Sequence, residues 1–156
     1  MPSTARLYRN VDGAGYVAAP EWGIDRSMGG VCAVAADLDA DGDDDLVVCT
    51  TRKLDGAAAG ARLLINDGTR FVDRTRALGF ASGGERDVEV ADFDGDGRLD
   101  IAALRNKVLR IHLGRPDGRF GLARRLSFGN NVAIAVGDVN ADDRPDIFLA
   151  RRGAPD

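Results

Sequence analysis

Four aspartates between residues 92 and 100 have the spacing of a cation-binding loop. They occupy loop positions 1, 3, 5 and 9, and Gly97 at position 6 permits the sharp turn because glycine tolerates positive φ. Carboxylates at alternate positions can curl around one hard cation, and oxygen is the ligand that Ca²⁺ prefers. The backbone carbonyl at position 7 adds another oxygen. The stretch therefore predicts a calcium site whose ligands are Asp92, Asp94, Asp96, Arg98 (through its carbonyl) and Asp100.

The same template occurs on both sides of this stretch. We call residues 37–45 loop one, residues 92–100 loop two and residues 138–146 loop three; their first aspartates are 55 and 46 residues apart. Loop one keeps the aspartates and the turn glycine, Gly42. Loop three has Asn140 in place of a carboxylate and Asp143 in place of the glycine. We therefore expect calcium sites in loops one and two, and a weaker third site in loop three.

The segments that flank the loops argue against an EF-hand. An EF-hand needs a glutamate at position 12 and a helix on each side, but position 12 is Val48, Ala103 or Leu149. The flanks are apolar runs of four to six residues, which is typical of buried strands. Each loop is therefore predicted at the tip of a β-hairpin. The predicted strands are 31–36, 46–51, 88–91, 101–104, 132–136 and 147–150.

The rest of the chain supplies further pairs of strands. Segments 62–66 and 71–73 follow the first hairpin, and segments 108–113 and 119–122 follow the second. Four short strands per unit of about fifty residues indicate an all-β propeller built from four-stranded blades. We predict one repeat region over residues 1–156. Its parts are a half-blade at 1–20, whole blades at 31–74 and 86–125, and a half-blade at 132–151.

These residues resemble a known family. The strings Val90–Ile101, Leu7–Asn10 and Phe71–Phe80 are similar to FG-GAP/VCBS-type propeller repeats, in particular those of cartilage-acidic-protein-like and bacterial secreted proteins. The resemblance implies a calcium-stabilised propeller, as in integrin α-subunit heads, that works by adhesion or ligand binding. Carried over by position, it adds two ligand sets: Asp37, Asp39, Asp41, Asp43 (carbonyl) and Asp45 in loop one, and Asp138, Asn140, Asp142, Arg144 (carbonyl) and Asp146 in loop three.

The family normally has seven blades, more than this chain supplies. The half-blades would leave unpaired strand edges, which readily pair with another chain. We expect the ring to be completed either by the remaining blades of a larger propeller or by a second copy that closes a six-bladed dimer. The third alternative is an open arc of blades.

Charge and composition narrow the class of protein. The three loops hold six, four and four aspartates, more than half of the 25 acidic residues, so the rest of the surface is basic although the net charge is −4. No basic stripe interleaved with aromatic residues is present, so we do not expect nucleic-acid binding. No apolar run reaches the length of a membrane span, so we expect no membrane insertion. The calcium loops favour an extracellular or periplasmic location. The first residues lack the apolar stretch of a signal peptide, so we expect any such leader to be absent or already removed.

The two cysteines lie on the two strands of the first hairpin. A symmetric fold of loop one places residue 32 opposite residue 50, so Cys32 and Cys49 are near neighbours that point to opposite faces. This favours buried free thiols over a cross-strand disulfide.

Three functional classes remain open. His112, the only histidine, has no visible nucleophile partner and is expected to be structural, so the prediction is a non-catalytic module that binds a protein or carbohydrate ligand. The alternative is part of a secreted propeller hydrolase or lyase that acts on polysaccharide. A calcium sensor is disfavoured because loops clamped between paired strands lack the helix opening that sensors use.

Overall fold

The computed structural model describes residues 5–24, 30–50, 60–80, 83–129, 131–151 and 153. Within this part of the chain every regular element is a β-strand apart from one 3₁₀ turn at Pro20–Trp22. The strands are β1 (Tyr8–Asn10), β2 (Tyr16–Ala18), β3 (Gly30–Ala36), β4 (Asp45–Thr50), β5 (Gly60–Asn66), β6 (Phe71–Asp73), β7 (Asp87–Ala91), β8 (Asp100–Arg105), β9 (Val108–Gly114), β10 (Phe120–Ser127), β11 (Asn131–Gly137) and β12 (Asp146–Arg151).

The strands form antiparallel sheets in chain order. Among the described residues, β3–β6 and β7–β10 form four-stranded sheets, which we call blade one and blade two. The pairs β1–β2 and β11–β12 form two-stranded sheets, which we call the leading and trailing half-blades. Strand β7 contacts both β3 and β11, so the first strands of successive sheets lie side by side. This all-β architecture is a partial propeller, as the sequence predicts.

The core lies between the sheets. One cluster joins Val47, Cys49 and Leu63 of blade one to Ile101 and Ala103 of blade two. A second cluster joins the opposite face of blade two to the trailing half-blade. Because successive side chains of a strand point to opposite faces, each whole blade is apolar on both sides. The apolar runs of the sequence therefore stack the blades.

The predicted strand positions are confirmed with small shifts at their ends. Most ends move by one or two residues, and β10 extends to Ser127, beyond the predicted end at Leu122. Two predicted features lie outside the described residues: the start of the leading half-blade at 1–4 and the position of Thr51.

The prediction of free thiols was wrong. Cys32 and Cys49 form a disulfide between β3 and β4, with their Cα atoms 5.0 Å apart. Asp45 itself belongs to β4 and pairs with Ala36. The pairing of β3 with β4 is therefore shifted by one residue from the pairing that a symmetric nine-residue loop would give. In this register Cys32 lies directly opposite Cys49, and cross-strand partners point to the same face.

Candidate metal centres

The last aspartate of loops one and two is buried and fixed by the backbone. Asp100 is 0% exposed, and its two carboxylate oxygens accept hydrogen bonds from the N–H of Phe93 (2.8 Å) and of Gly114 (2.8 Å). Asp45 is also 0% exposed and accepts from Leu38 (2.9 Å) and from Asn66 (2.8 Å). In each blade one donor comes from the loop and the other from the end of the third strand. The buried carboxylate therefore ties the loop to the second and third strands.

Loops one and two each bring three carboxylates together. Among the described residues, two groups of acids have oxygen atoms that all lie within 4.8 Å of one another. Both groups comprise loop positions 1, 3 and 9. They are Asp37, Asp39 and Asp45 in loop one, and Asp92, Asp94 and Asp100 in loop two. Like charges this close repel strongly unless a cation lies between them.

The aspartates at positions 1 and 5 of these loops also accept hydrogen bonds from the loop backbone. At position 1, Asp92 accepts from the N–H of Gly95 (2.7 Å) and of Gly97 (2.7 Å), which closes the turn. At position 5, Asp41 and Asp96 lie outside the two groups of three, and each accepts from the N–H at position 7. Asp41 and Asp96, and the predicted carbonyl ligands Asp43 and Arg98, therefore stay predictions.

Loop three has the same shape but a different set of side chains. Asp143 adopts a φ of 62°, the left-handed conformation that Gly97 has at the equivalent position of loop two. At position 3, the side chain of Asn140 donates to Asp142 (3.2 Å) and its oxygen accepts from the N–H of Asp142 (3.0 Å). The described residues form no group of three carboxylates here, because position 3 lacks an acid. The site of Asp138, Asn140, Asp142, Arg144 and Asp146 also stays a prediction.

A comparison with known protein families matches the hairpins that carry loops two and three. The family model described as FG-GAP-like repeat matches residues 54–103 and 92–149, which together span more than half of the chain. The chain belongs to the FG-GAP-like repeat family. A comparison with curated proteins finds no significant match. Both matched segments of this FG-GAP-like chain include the loop-two aspartates.

Burial is the main cause of the raised pKa values in loops one and two, and the charges of neighbouring acids add to it. Burial raises the pKa of Asp100, an effect that its two N–H donors oppose and that the charges of Asp94 and Asp92 reinforce. Burial likewise raises the pKa of Asp45. The pKa of Asp39 is raised by burial and then by the charge of Asp41. A bound cation would offset this repulsion.

The donor set of the FG-GAP-like loops fits a hard cation. Each group of three offers only carboxylate oxygens and is anchored at a fully buried aspartate. Oxygen-only sites suit Mg²⁺, Ca²⁺ or Mn²⁺ rather than metals that prefer nitrogen or sulfur ligands. Loops one and two could therefore hold a metal ion.

Sequence reasoning missed the partners that fix the buried aspartates. Asn66 and Gly114 lie 21 and 14 residues beyond Asp45 and Asp100, so no short spacing connects each pair. The side chain of Arg98 was also missed: its Nε donates to the Gly114 carbonyl (3.2 Å), and its guanidinium pairs with Asp96. The signal in the sequence is the repeat itself. An alignment of the two blades strand by strand places Asn66 and Gly114 at equivalent ends of the third strands.

Proposed function

We propose that this protein is a calcium-stabilised FG-GAP-like propeller module that binds a protein or carbohydrate ligand and has no catalytic role. The arrangement that carries the proposal is the aspartate group of three in each of two consecutive blades. Because its deepest carboxylate also joins the loop to the second and third strands, a cation at this point would fix the loop against the sheet. Calcium fits better than magnesium because it accepts six to eight oxygens in flexible geometry, whereas magnesium demands a near-ideal octahedron.

Two clefts on the loop side of the module supply a place for a ligand. A cleft of about 220 Å³ between loop one and blade two is lined by Asp37, Asp39, Arg98 and Arg115, among others. A larger cleft of about 500 Å³ lies between loops two and three, and Arg144 lines it. Mixed charges on rigid hairpins suit a polar ligand with hydroxyl or carboxylate groups.

The position of His112 favours binding over catalysis. The imidazole is 1% exposed and packs against Phe80, with ring centroids 4.6 Å apart. It lines neither cleft. A general base must reach the proton that it removes, so this histidine is poorly placed to serve a hydrolase or lyase.

The disulfide and the proposed metal point to the same compartment. Disulfides persist in oxidising surroundings outside the cytosol. Extracellular calcium modules bind at roughly 10⁻⁴–10⁻³ M, concentrations that the cytosol does not reach. We therefore place the module in the extracellular space or the periplasm. Within the described residues, no helix has both the length and the apolar character to cross a bilayer.

Calorimetric titration with calcium tests the metal sites. We expect Asp94→Ala to abolish one of the tighter binding events and Asp142→Ala to leave both tighter events in place. Asp117→Ala is the matched control, because Asp117 is an exposed aspartate in a turn outside the loops and accepts only from Arg119 among the described residues (3.1 Å). Absence of binding by the wild type, or a larger loss in Asp142→Ala than in Asp94→Ala, contradicts the assignment.

Ligand binding is tested on glycan and extracellular-protein arrays, each probed in calcium and in EDTA. We expect signals that EDTA and Asp94→Ala weaken and that Asp117→Ala leaves unchanged. Assays for released sugars on the bound polysaccharides run in parallel. Turnover of any of them contradicts the non-catalytic role and favours the hydrolase or lyase alternative.

A further inference from the structure

One rule governs which residues of a blade face its neighbours. Counting on from the loop, position 11 is Val47 in blade one and Ala102 in blade two, and both lie in the cluster shared with the following sheet. Position 10 is Ile101 in blade two and Ile147 in the trailing half-blade, and both pack on the preceding sheet. On the second strand of each loop-bearing sheet, odd loop positions therefore face the following sheet (the forward face) and even positions face the preceding sheet (the backward face). We call this the facing rule.

The trailing half-blade follows the same facing rule, but its forward-facing residues are exposed instead of buried. Its position-11 residue is Phe148 on β12, whose side chain is 67% exposed, whereas Val47 and Ala102 are 1% and 0% exposed. Ala135 of β11 is also exposed. Nothing in the described part of the chain covers this forward face. An uncovered phenylalanine at a position that is buried in both whole blades indicates a missing neighbour.

A complementary surface lies at the other end of the molecule. The backward face of blade one, including Leu46 and Val48 on β4 and Ala33 on β3, borders an apolar cavity of about 300 Å³. Ala5 and Leu7, which lie just before β1, close the outer side of the cavity. By the facing rule, this cavity lies where the forward face of a preceding blade belongs.

The leading half-blade supplies the outer strands of that blade. Residues 5–10 read Ala-Arg-Leu-Tyr-Arg-Asn and repeat Ala-Arg-Leu-Leu-Ile-Asn at 61–66. The pairing repeats too: Asn10 lies opposite Tyr16 as Asn66 lies opposite Phe71. The N–H of Ala19 donates to the Leu7 carbonyl (3.0 Å), as Arg74 donates to Leu63 (2.9 Å). Strand β1 is therefore equivalent to the third strand of a blade, and the described residues before it include no first or second strand.

We propose that the trailing half-blade of a second copy completes this blade, with β12 of one copy paired to β1 of the other. The register of β4 and β5 places Phe148 opposite Leu7, as Val47 lies opposite Leu63. Phe148 then fills the cavity at Leu46 and Val48. The contact removes an exposed edge from both half-blades.

The same register brings a third-strand N–H to Asp146, the last aspartate of loop three. Asp45 and Asp100 each accept from a third-strand N–H, but among the described residues Asp146 accepts only from Val139 (3.1 Å). In the paired blade the N–H of Asn10 takes the position that Asn66 has at Asp45. Each copy contributes two whole blades and two halves, so two reciprocal contacts close a six-bladed ring with two-fold symmetry, within the usual range of four to eight blades.

Multi-angle light scattering of the purified 156-residue chain tests the proposal, both in calcium and in EDTA, so that a failed metal site does not hide the dimer. We expect twice the 16.5 kDa chain mass. Phe148→Asp should halve the observed mass with an unchanged far-ultraviolet circular dichroism spectrum. The matched control is Leu122→Asp, at a 48% exposed leucine on the outer strand of blade two, and it should stay dimeric. A wild-type monomer at micromolar concentration, an open series of larger assemblies, or a monomeric Leu122→Asp overturns the proposal.

A crosslink tests the register independently of Phe148. Ala5 and Ala150 take the positions of Ala61 and Cys49, which lie opposite each other in blade one. Both native cysteines are in the disulfide, so Ala5→Cys with Ala150→Cys adds one new pair per contact. Mild oxidation should give a covalent dimer on a non-reducing gel, whereas each single variant should stay uncrosslinked. A double variant that stays uncrosslinked overturns the register.

Discussion

At the scale of single residues, the buried aspartate of each loop is expected to be structural even without metal. Asn has one acceptor oxygen and an amide that cannot accept, so Asp100→Asn leaves either the Phe93 or the Gly114 N–H without its partner. An unsatisfied buried N–H costs about 1–3 kcal/mol. Asp117→Asn is the control, since Asp117 is exposed and accepts from Arg119 alone among the described residues.

Urea unfolding in EDTA measures this difference directly, with bound metal excluded. Asp100→Asn should lower the free energy of unfolding by an amount in that range, and Asp117→Asn by clearly less. Equal losses in the two variants would contradict the role of the third-strand N–H.

His112 is one residue whose titration makes stability depend on pH. Burial and the charge of Arg110 lower the pKa of His112 to about 4, against the opposing effect of Glu85. Both ring nitrogens are buried without a hydrogen-bond partner among the described residues. Between pH 6.5 and 4 the unfolded chain binds a proton at this histidine that the folded chain does not bind, so the contribution of His112 to stability falls with the pH, by about 3 kcal/mol.

The substitution His112→Leu isolates this effect. Leu64 occupies the equivalent position in blade one, since Leu64 pairs with Leu46 as His112 pairs with Ile101. Unfolding followed from pH 7 to pH 4 should show a shallower loss of stability in the variant than in the wild type. Parallel curves would show that His112 does not titrate in this window.

At the scale of the elements, the disulfide strengthens the hairpin that carries loop one. The bond between Cys32 and Cys49 spans 17 residues of sequence and encloses all of loop one. Closing a loop of this length in the unfolded chain stabilises the folded state by about 3 kcal/mol. Blade two has no such bond, because Asp87 and Leu104 stand at the equivalent pair.

Cys32→Ala combined with Cys49→Ala should therefore destabilise the protein by about that amount. Calcium titration of the same variant should show weaker binding at one site and an unchanged second site, because loop two lies in the other blade. Wild-type protein treated with a reducing agent is the control, because reduction breaks the same bond without a substitution. An unchanged melting temperature would contradict the stabilising role of the bond.

At the scale of the whole molecule, calcium should act as a stabilising ligand. At a concentration ten times the dissociation constant, each site adds about 1.4 kcal/mol by mass action. Two sites should raise the melting temperature by roughly 2–4 °C for each kcal/mol. Melts in millimolar calcium, in magnesium and in EDTA measure the shift, and an unchanged midpoint in calcium would contradict a structural calcium.

The sequence by itself determined the features that local patterns encode. The loops are visible because their acids and turn residues fall within nine consecutive positions. The hairpins follow because short apolar runs flank each loop. The two whole blades and two half-blades follow from counting these hairpins and the strand pairs after them. Each inference needed only the spacing of neighbouring residues.

Tertiary structure alone decided the features that depend on strand register and on packing between sheets. Because Ala36 pairs with Asp45, the two cysteines lie opposite each other and form a disulfide, whereas the sequence predicted them on opposite faces. The contact between Asp45 and Asn66 crosses 21 residues. The exposure of Phe148 depends on which sheet lies beside it, since its neighbours in sequence are as apolar as those of Val47. A one-residue change of register moves every side chain of a strand to the other face, and hydrophobic spacing within one strand does not fix its alignment with the next.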